Sequence, residues 1–178
     1  MAVKFEETIR KNAIKNIAEN ILIAARTAPK GKGIDNTVMA IVEKEDIKKL
    51  IGKMNEIGEK YEYSIFIRDA KNILDCEILL LFGTKIKSIG LKKCGMCGFK
   101  NCQEKDKHPH IPCVFNTGDL GITIGSAVST AMNYKVDNRI MFTVGQAALE
   151  LKLMGNDVKI AYGLPLSVSA KNIFFDRS

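Results

Sequence analysis

From Phe5 onward, apolar residues recur every three to four positions: Phe5, Ile9, Ala13, Ile17, Ile21 and Ala24/Ala25. That spacing is the stripe of an amphipathic helix, which ends before Pro29. Thr37 to Val42 (TVMAIV) reads as a strand. Helical spacing returns from Lys44 to about Tyr61, with Ile47, Leu50, Ile51, Met54 and Ile57 on one side. Glu77 to Lys85 (EILLLFGTK) reads as a buried strand. In Thr117 to Tyr134, Gly118, Gly121, Gly125 and Ser129 recur at helical spacing and strip side chains from one face. Such a face suits either tight helix packing or the close approach of a flat ligand. A further helix is expected over Thr143 to Met154, stopped by Gly155-Asn156. A last strand, Val158 to Tyr162, precedes Gly163-Leu164-Pro165. The alternation predicts an α/β or α+β domain.

No internal repeat or Ser/Pro-rich linker divides the 178 residues, so the expectation is a single domain over 1–178 with a cysteine-rich loop at 90–116. At 46% hydrophobic and 26% charged, the composition is that of an ordinary soluble globular protein. No apolar run approaches the roughly 18 residues of a membrane span. The charged N-terminus lacks the apolar centre of a signal peptide. These features predict a cytoplasmic setting, where thiols stay reduced. The net charge of +7 comes mostly from scattered lysines, with few aromatics and no Trp, which argues against a nucleic-acid partner.

The cysteines change the picture. Four of the five fall in KKCGMCGFKNCQEKDKHPHIPC, spaced Cys94-x2-Cys97-x4-Cys102-x10-Cys113. Two thiolates separated by two residues can hold one metal centre, because the intervening turn brings both sulfurs to the same side. Gly95 and Gly98 suit such turns and leave backbone N–H groups free to point at sulfur. Lys92, Lys93 and Lys100 supply nearby positive charge for an anionic centre. Four thiolates serve a 4Fe–4S cluster or a structural zinc. The second C-x2-C knuckle of a zinc ribbon is missing, which favours iron–sulfur over zinc. The CGMCGFKNC run resembles the cluster motif of corrinoid iron–sulfur proteins. His108 and His110 read as exposed loop histidines and Cys76 as a buried structural thiol.

A second candidate site is AARTAPKGKGIDN, Ala24 to Asn36. There Arg26, Lys30 and Lys32 stand among Pro29, Gly31 and Gly33, a set that suits a phosphate as well as a solvated loop. The tail carries a similar set in Lys171, Asn172 and Arg177.

The opening helix with AARTAPKGKGIDN resembles the start of flavin-dependent nitroreductases. GDLGITIGSAV is similar to their Asp-x-Gly helix, and AYGLPLS to their late strand ending in Gly-x-Pro. With the cysteines, VDNRIM and PLSVSAKNIFFDR, the whole chain resembles the "ferredoxin domain-containing" proteins of anaerobic bacteria and archaea. The resemblance implies an α+β nitroreductase-like fold, with a central sheet flanked by helices, and a homodimer with FMN at its interface. It also implies that Arg26, Ala28, Pro29, Lys30, Asn36 and Lys171 surround the cofactor, with Arg26 and Lys171 at its phosphate or ribityl chain. Lys30 stands where that family has Ser, and the Gln-Pro-Trp after the Asn is absent. Three functions therefore stay open on sequence: an FMN/iron–sulfur oxidoreductase, a non-enzymatic electron carrier or redox sensor, and a zinc-stabilised binding module.

Overall fold

The computed structural model describes residues 3–175. At its centre is a four-stranded antiparallel sheet of β1 (Thr37–Val42), β2 (Ile78–Lys85), β3 (Asp137–Asn138) and β4 (Val158–Ser167), in the order β1-β2-β4-β3. β2 is buried along its length up to Lys85, as its Ile/Leu run requires. It pairs with β1 from Thr37↔Thr84 to Val42↔Leu79 and with β4 from Ile78↔Leu166 to Lys85↔Val158. Because successive side chains point to opposite faces, β2 feeds two cores. Leu79 and Leu81 enter one; Ile78, Leu80 and Phe82 enter the other.

Each core is closed by its own helical layer, giving a three-layer sandwich. On one face lie α1 (Glu6–Thr27) and α5 (Val114–Asn133), packed on each other through Ile14, Ala18, Ile21 and Ala25 against Leu120, Ile124, Ala127 and Ala131. The other face carries α2 (Lys44–Lys60), α3 (Ser64–Asn72) and α6 (Phe142–Glu150). A short helix, α4 (Cys102–Asp106), interrupts the long loop that joins β2 to α5. The tail is tied back by Asn72 Nδ2 and Arg139 Nη1, which donate to Phe174 O at 3.2 and 2.8 Å. Among the described residues no helix is long and apolar enough to cross a membrane.

Several boundaries differ from the sequence pattern. The buried stripe of α1 is Ile14/Ala18/Ile21/Ala25, whereas Phe5, Ile9 and Ala13 are exposed because the first two turns lie outside the α1–α5 packing. α3 lies in a stretch the sequence pattern leaves unassigned, since nine residues give only two full turns of periodicity. α5 starts three residues earlier than expected, directly at Cys113, and α6 ends at Glu150 in place of Met154. β4 runs on through Gly163-Leu164-Pro165 to Ser167. The proline is tolerated for a reason of register. Gly163 exchanges both backbone hydrogen bonds with Met141 at 2.9 Å, away from β2. Pro165, two residues on, therefore turns its missing N–H to that same side, between the Met141 bridge and the β3 pairing.

Candidate metal centre and adjoining pocket

All four clustered cysteines lie between the end of β2 at Lys85 and the start of α5 at Val114, with Cys102 in the short α4. Cys97 sits in a turn closed by Gly98 N–H donating to Gly95 O at 2.9 Å, with Gly98 at φ 88, and Cys94 immediately precedes that turn. That positive φ is what a glycine there provides. Cys102 opens α4, whose first turn is capped by Asn101 accepting from Glu104 N at 2.9 Å. Cys113 is the N-cap of α5, and its carbonyl accepts from the N–H groups of Asn116 and Thr117 at 3.0 and 3.4 Å. Cys113 thus stands at the positive end of a twenty-residue helix.

All four thiols are free and line one cavity, of about 10 Å³, together with Leu91, Lys105 and Val114. Among the described residues no group of three or more Cys, His, Asp or Glu side chains converges closely enough to ligate an ion as placed. Both statements hold, because sharing a cavity is a weaker condition than ligand distance. A space of this size takes one small atom. A single ion would need the thiols to turn inward, and a four-iron cluster would need the loop to open around it. The donor set fits either group. The loop carries little regular structure besides α4. His108 and His110 are exposed; the His108 ring stacks on Phe99 at 5.1 Å and neither histidine lines the cysteine cavity.

Cys76 is fully buried among the residues of the α2–α3–α6 core, and burial pushes its thiol up to about 12. In reduced, metal-free protein at pH 8, Cys76 is expected to react with iodoacetamide at least about a hundredfold more slowly than Cys94, Cys97 and Cys102. Peptide mapping of the labelled protein measures this. Labelling of Cys76 at the same rate as the loop thiols would remove its structural assignment.

The Ala24–Asn36 turn is fastened by a set of side-chain hydrogen bonds. Arg26 Nη1 donates to Asp35 Oδ2 at 2.5 Å and to Thr37 Oγ1 and Thr37 O at 3.3 and 3.4 Å. Burial pushes the Asp35 carboxyl up, but hydrogen bonds from Thr37 and Arg26 outweigh it and hold the group below the usual carboxylate range. Lys30 Nζ donates to Ala25 O, Ala28 O and Arg26 O at 2.9, 2.7 and 3.0 Å. The ammonium therefore caps the carbonyl end of α1, with its three protons engaged. Burial lowers its pKa. Asn36 Nδ2 donates to Asn116 Oδ1 at 3.1 Å, and Asn116 Nδ2 in turn donates to Lys85 O and Lys87 O at 2.8 and 2.5 Å. Gly31 N–H is held by both carboxylate oxygens of Asp119 at 3.0 Å. Lys32 Nζ donates to Gly90 O at 3.3 Å. These bonds lock the turn to α5 and to the start of the cysteine loop.

A cavity of about 490 Å³ opens between this turn and α5, walled by Pro29, Lys30, Gly31, Met96, Val114, Phe115, Gly118, Asp119 and Ile122. It shares Val114 and Phe115 with the cysteine cavity, and Met96 stands between Cys94 and Cys97. A second cavity of about 390 Å³ lies on another flank of α5, at Gly121, Gly125, Ile140, Ile160 and Tyr162. Methyl groups added at Gly118, Gly121 or Gly125 would meet nothing within 4 Å. The small face of α5 thus looks onto open space, with no helix among the described residues packed on it.

Of the residues expected to surround a cofactor, the structure gathers Arg26, Ala28, Pro29, Lys30 and Asn36 at the end of α1. Of these, only Pro29 and Lys30 line the pocket; Arg26, Ala28 and Asn36 stand beside it without lining it, and Lys171 lies on the tail after β4, off the pocket. Arg177 lies outside the described residues. Asn116, Asp119 and Lys105 were not singled out from sequence. The signal for the first two is polar residues on the buried face of a helix, 1% and 7% exposed.

The fold is that of the nitroreductases. A nitroreductase with bound FMN from Bacteroides fragilis matches over 92% of this chain and 81% of its own, with a TM-score of 0.63 at 11% identity. A BluB-like flavoprotein from Clostridium difficile matches over 88% of this chain and 81% of its own, with a TM-score of 0.57 at 20% identity. Within that fold class the sequence is more specific. A family model described as "uncharacterized protein containing a ferredoxin domain" matches residues 110–177. An uncharacterized protein of Archaeoglobus fulgidus is 35% identical over 97% of this chain and 96% of its own. The chain belongs to that family. Of the four clustered cysteines only Cys113 falls in the stretch matched by the family model.

Proposed function

We propose that this protein is an oxidoreductase or electron-transfer protein of one domain. Cys94, Cys97, Cys102 and Cys113 in its 90–116 loop hold a 4Fe–4S cluster, and the pocket at the end of α1 takes FMN. When bound, the cluster supplies single-electron transfer and the flavin links it to two-electron chemistry. The observation that carries this reading is the shared wall: Val114 and Phe115 line both cavities, and Met96 of the cysteine turn lines the larger one. The larger cavity lies within the range of small-molecule sites and has the mostly apolar lining of such sites. Pro29, Phe115 and Ile122 would pack on a flat ring system, with Gly118 leaving room for its approach. Arg26, paired with Asp35 as placed, is the proposed phosphate-facing cation and Asn36 a polar contact along the ring, each requiring a side-chain turn toward the pocket; Lys171 lies off this pocket and is a phosphate contact only by resemblance. The Lys30 ammonium is engaged by carbonyls, so its proposed part is to set the backbone of the turn.

The open glycine face of α5, flanked by exposed Ile122 and Met132, supports a homodimer. A second reading has its own observation: the narrow cysteine cavity suits one zinc ion, which would make the loop a structural module.

The flavin half is tested by reconstituting the metal-free protein anaerobically with iron and sulfide and titrating FMN. Saturable quenching of flavin fluorescence is expected, and it should weaken in Gly118→Phe, whose ring fills the pocket. A fully loaded cluster with no FMN uptake would leave the protein an electron carrier without flavin.

A further inference from the structure

The lysines that the sequence places around the cysteines, Lys92, Lys93 and Lys100, are exposed, with their charges in water. Lys105 is different. It is 2% exposed, and it lines the cavity formed by all four cysteines. Its Nζ donates one hydrogen bond, to Ile86 O at 2.7 Å, and stands 3.8 Å from Asp106 Oδ1, whose side chain is 55% exposed. An ammonium withdrawn from water carries a desolvation cost that one carbonyl bond and one long, half-solvated ion pair do not offset. Buried charges persist where a matching charge sits beside them. The groups that share its cavity are thiols, which become anionic on binding metal.

We propose that Lys105 is the buried counter-charge of the four-thiolate centre. The inference rests on the reading of those cysteines as a metal site and adds a residue to it. Four thiolates around a divalent zinc or an oxidised 4Fe–4S core leave a net charge of about −2. In a cavity whose cysteines are half-buried or buried, that charge is less screened than at the surface, and a cation fixed in the wall stabilises it more than an exposed lysine can. Lys105 also reaches across the loop. Through Ile86 O it ties α4, which begins at Cys102, to the segment that leaves β2. A purely structural strap would need only that hydrogen bond. A counter-charge needs the positive charge itself.

Lys105→Gln separates the two roles, because its amide can still donate to Ile86 O without the charge; Lys105→Met removes both. Lys100→Gln, an exposed neighbour of the loop, is the control. Reduced metal-free protein is titrated with Zn²⁺ against a chromophoric chelator, and the midpoint potential of the anaerobically reconstituted cluster is then measured. Lys105→Gln is expected to bind Zn²⁺ tenfold to a hundredfold more weakly than the unmodified chain, about 1.4–2.7 kcal/mol. Its cluster should be reduced at a more negative potential, because the lost cation had favoured the added electron. Lys100→Gln should stay within about twofold. Lys105→Gln matching the unmodified protein in both affinity and potential would overturn the proposal, as would Lys100→Gln causing an equal loss. If the unmodified chain retains neither zinc nor cluster, the metal reading itself falls and the inference with it. Should Lys105→Met fail to fold, Lys105→Gln decides alone.

Discussion

Cys97→Ser is expected to abolish stoichiometric metal retention while leaving the stability of the metal-free fold unchanged within about 0.5 kcal/mol. The thiol is half-buried in a loop that carries none of the two cores, so its removal costs little packing. A serine hydroxyl does not ionise near neutral pH and is a poor replacement for a thiolate. Structural four-thiolate sites bind with about 10–16 kcal/mol in total, so losing one ligand should cost 3 kcal/mol or more, a loss beyond a hundredfold. Cys76→Ser should do the reverse. It leaves the metal in place but puts a hydroxyl into an apolar core with no designed partner, at about 1–3 kcal/mol of stability. Metal content by elemental analysis and thermal unfolding by circular dichroism, run on both variants, give a crossed result. Equal metal in Cys97→Ser and the unmodified protein would remove Cys97 from the site.

The largest stability effect is expected at Gly145→Ala. α6 lies so close on β4 that a methyl group at Gly145 would overlap the Ala161 carbonyl carbon and oxygen and come within 2.8 Å of Tyr162 Cα. These are backbone atoms of a central strand paired with β2, so relief requires α6 to move off the sheet. That movement would open the packing of Val144, Ala147 and Ala148, all fully buried. Overpacking against side chains costs about 1–3 kcal/mol, and displacing a helix from backbone sits at or above the top of that range. A cost of about 3 kcal/mol corresponds to a fall in Tm of about 6–12 °C for a chain of this size. Gly52→Ala is the contrast: Gly52 lies in α2 with nothing within 4 Å of the added methyl, and helix propensity predicts a slight gain. A Gly145→Ala variant melting with the unmodified protein would show that α6 is not seated as described.

How far the sequence showed all this depended on range. β1, β2 and α2 were legible because their apolar spacing is local and sustained, and the nitroreductase fold followed from motifs at the two ends of the chain. The four cysteines were legible as a set from spacing alone. Less was visible where a partner distant in sequence decides the outcome. The burial of α1 is set by α5, about a hundred residues on, so the stripe begun at Phe5 and Ile9 did not mark the buried face. β4 looked as though it should stop at Gly163, and only the Met141 pairing explains why Pro165 can continue it. Lys30 read as a cation suited to a phosphate or to a solvated loop; its three carbonyl bonds could not be read locally, because they depend on how α1 ends. Lys105 gave no signal, since nothing local separates a buried lysine from the exposed ones around it. Asn116 and Asp119, which fasten the turn, are likewise polar residues whose meaning appears only across about eighty residues of intervening chain.

The claim at the centre of this account is that one chain places an iron–sulfur centre and a flavin site side by side. Its most direct test is to purify the full chain anaerobically and to quantify iron, acid-labile sulfide, zinc and flavin on the same sample. About four iron and four sulfide per chain are expected together with bound FMN. One zinc per chain with neither sulfide nor flavin would contradict it.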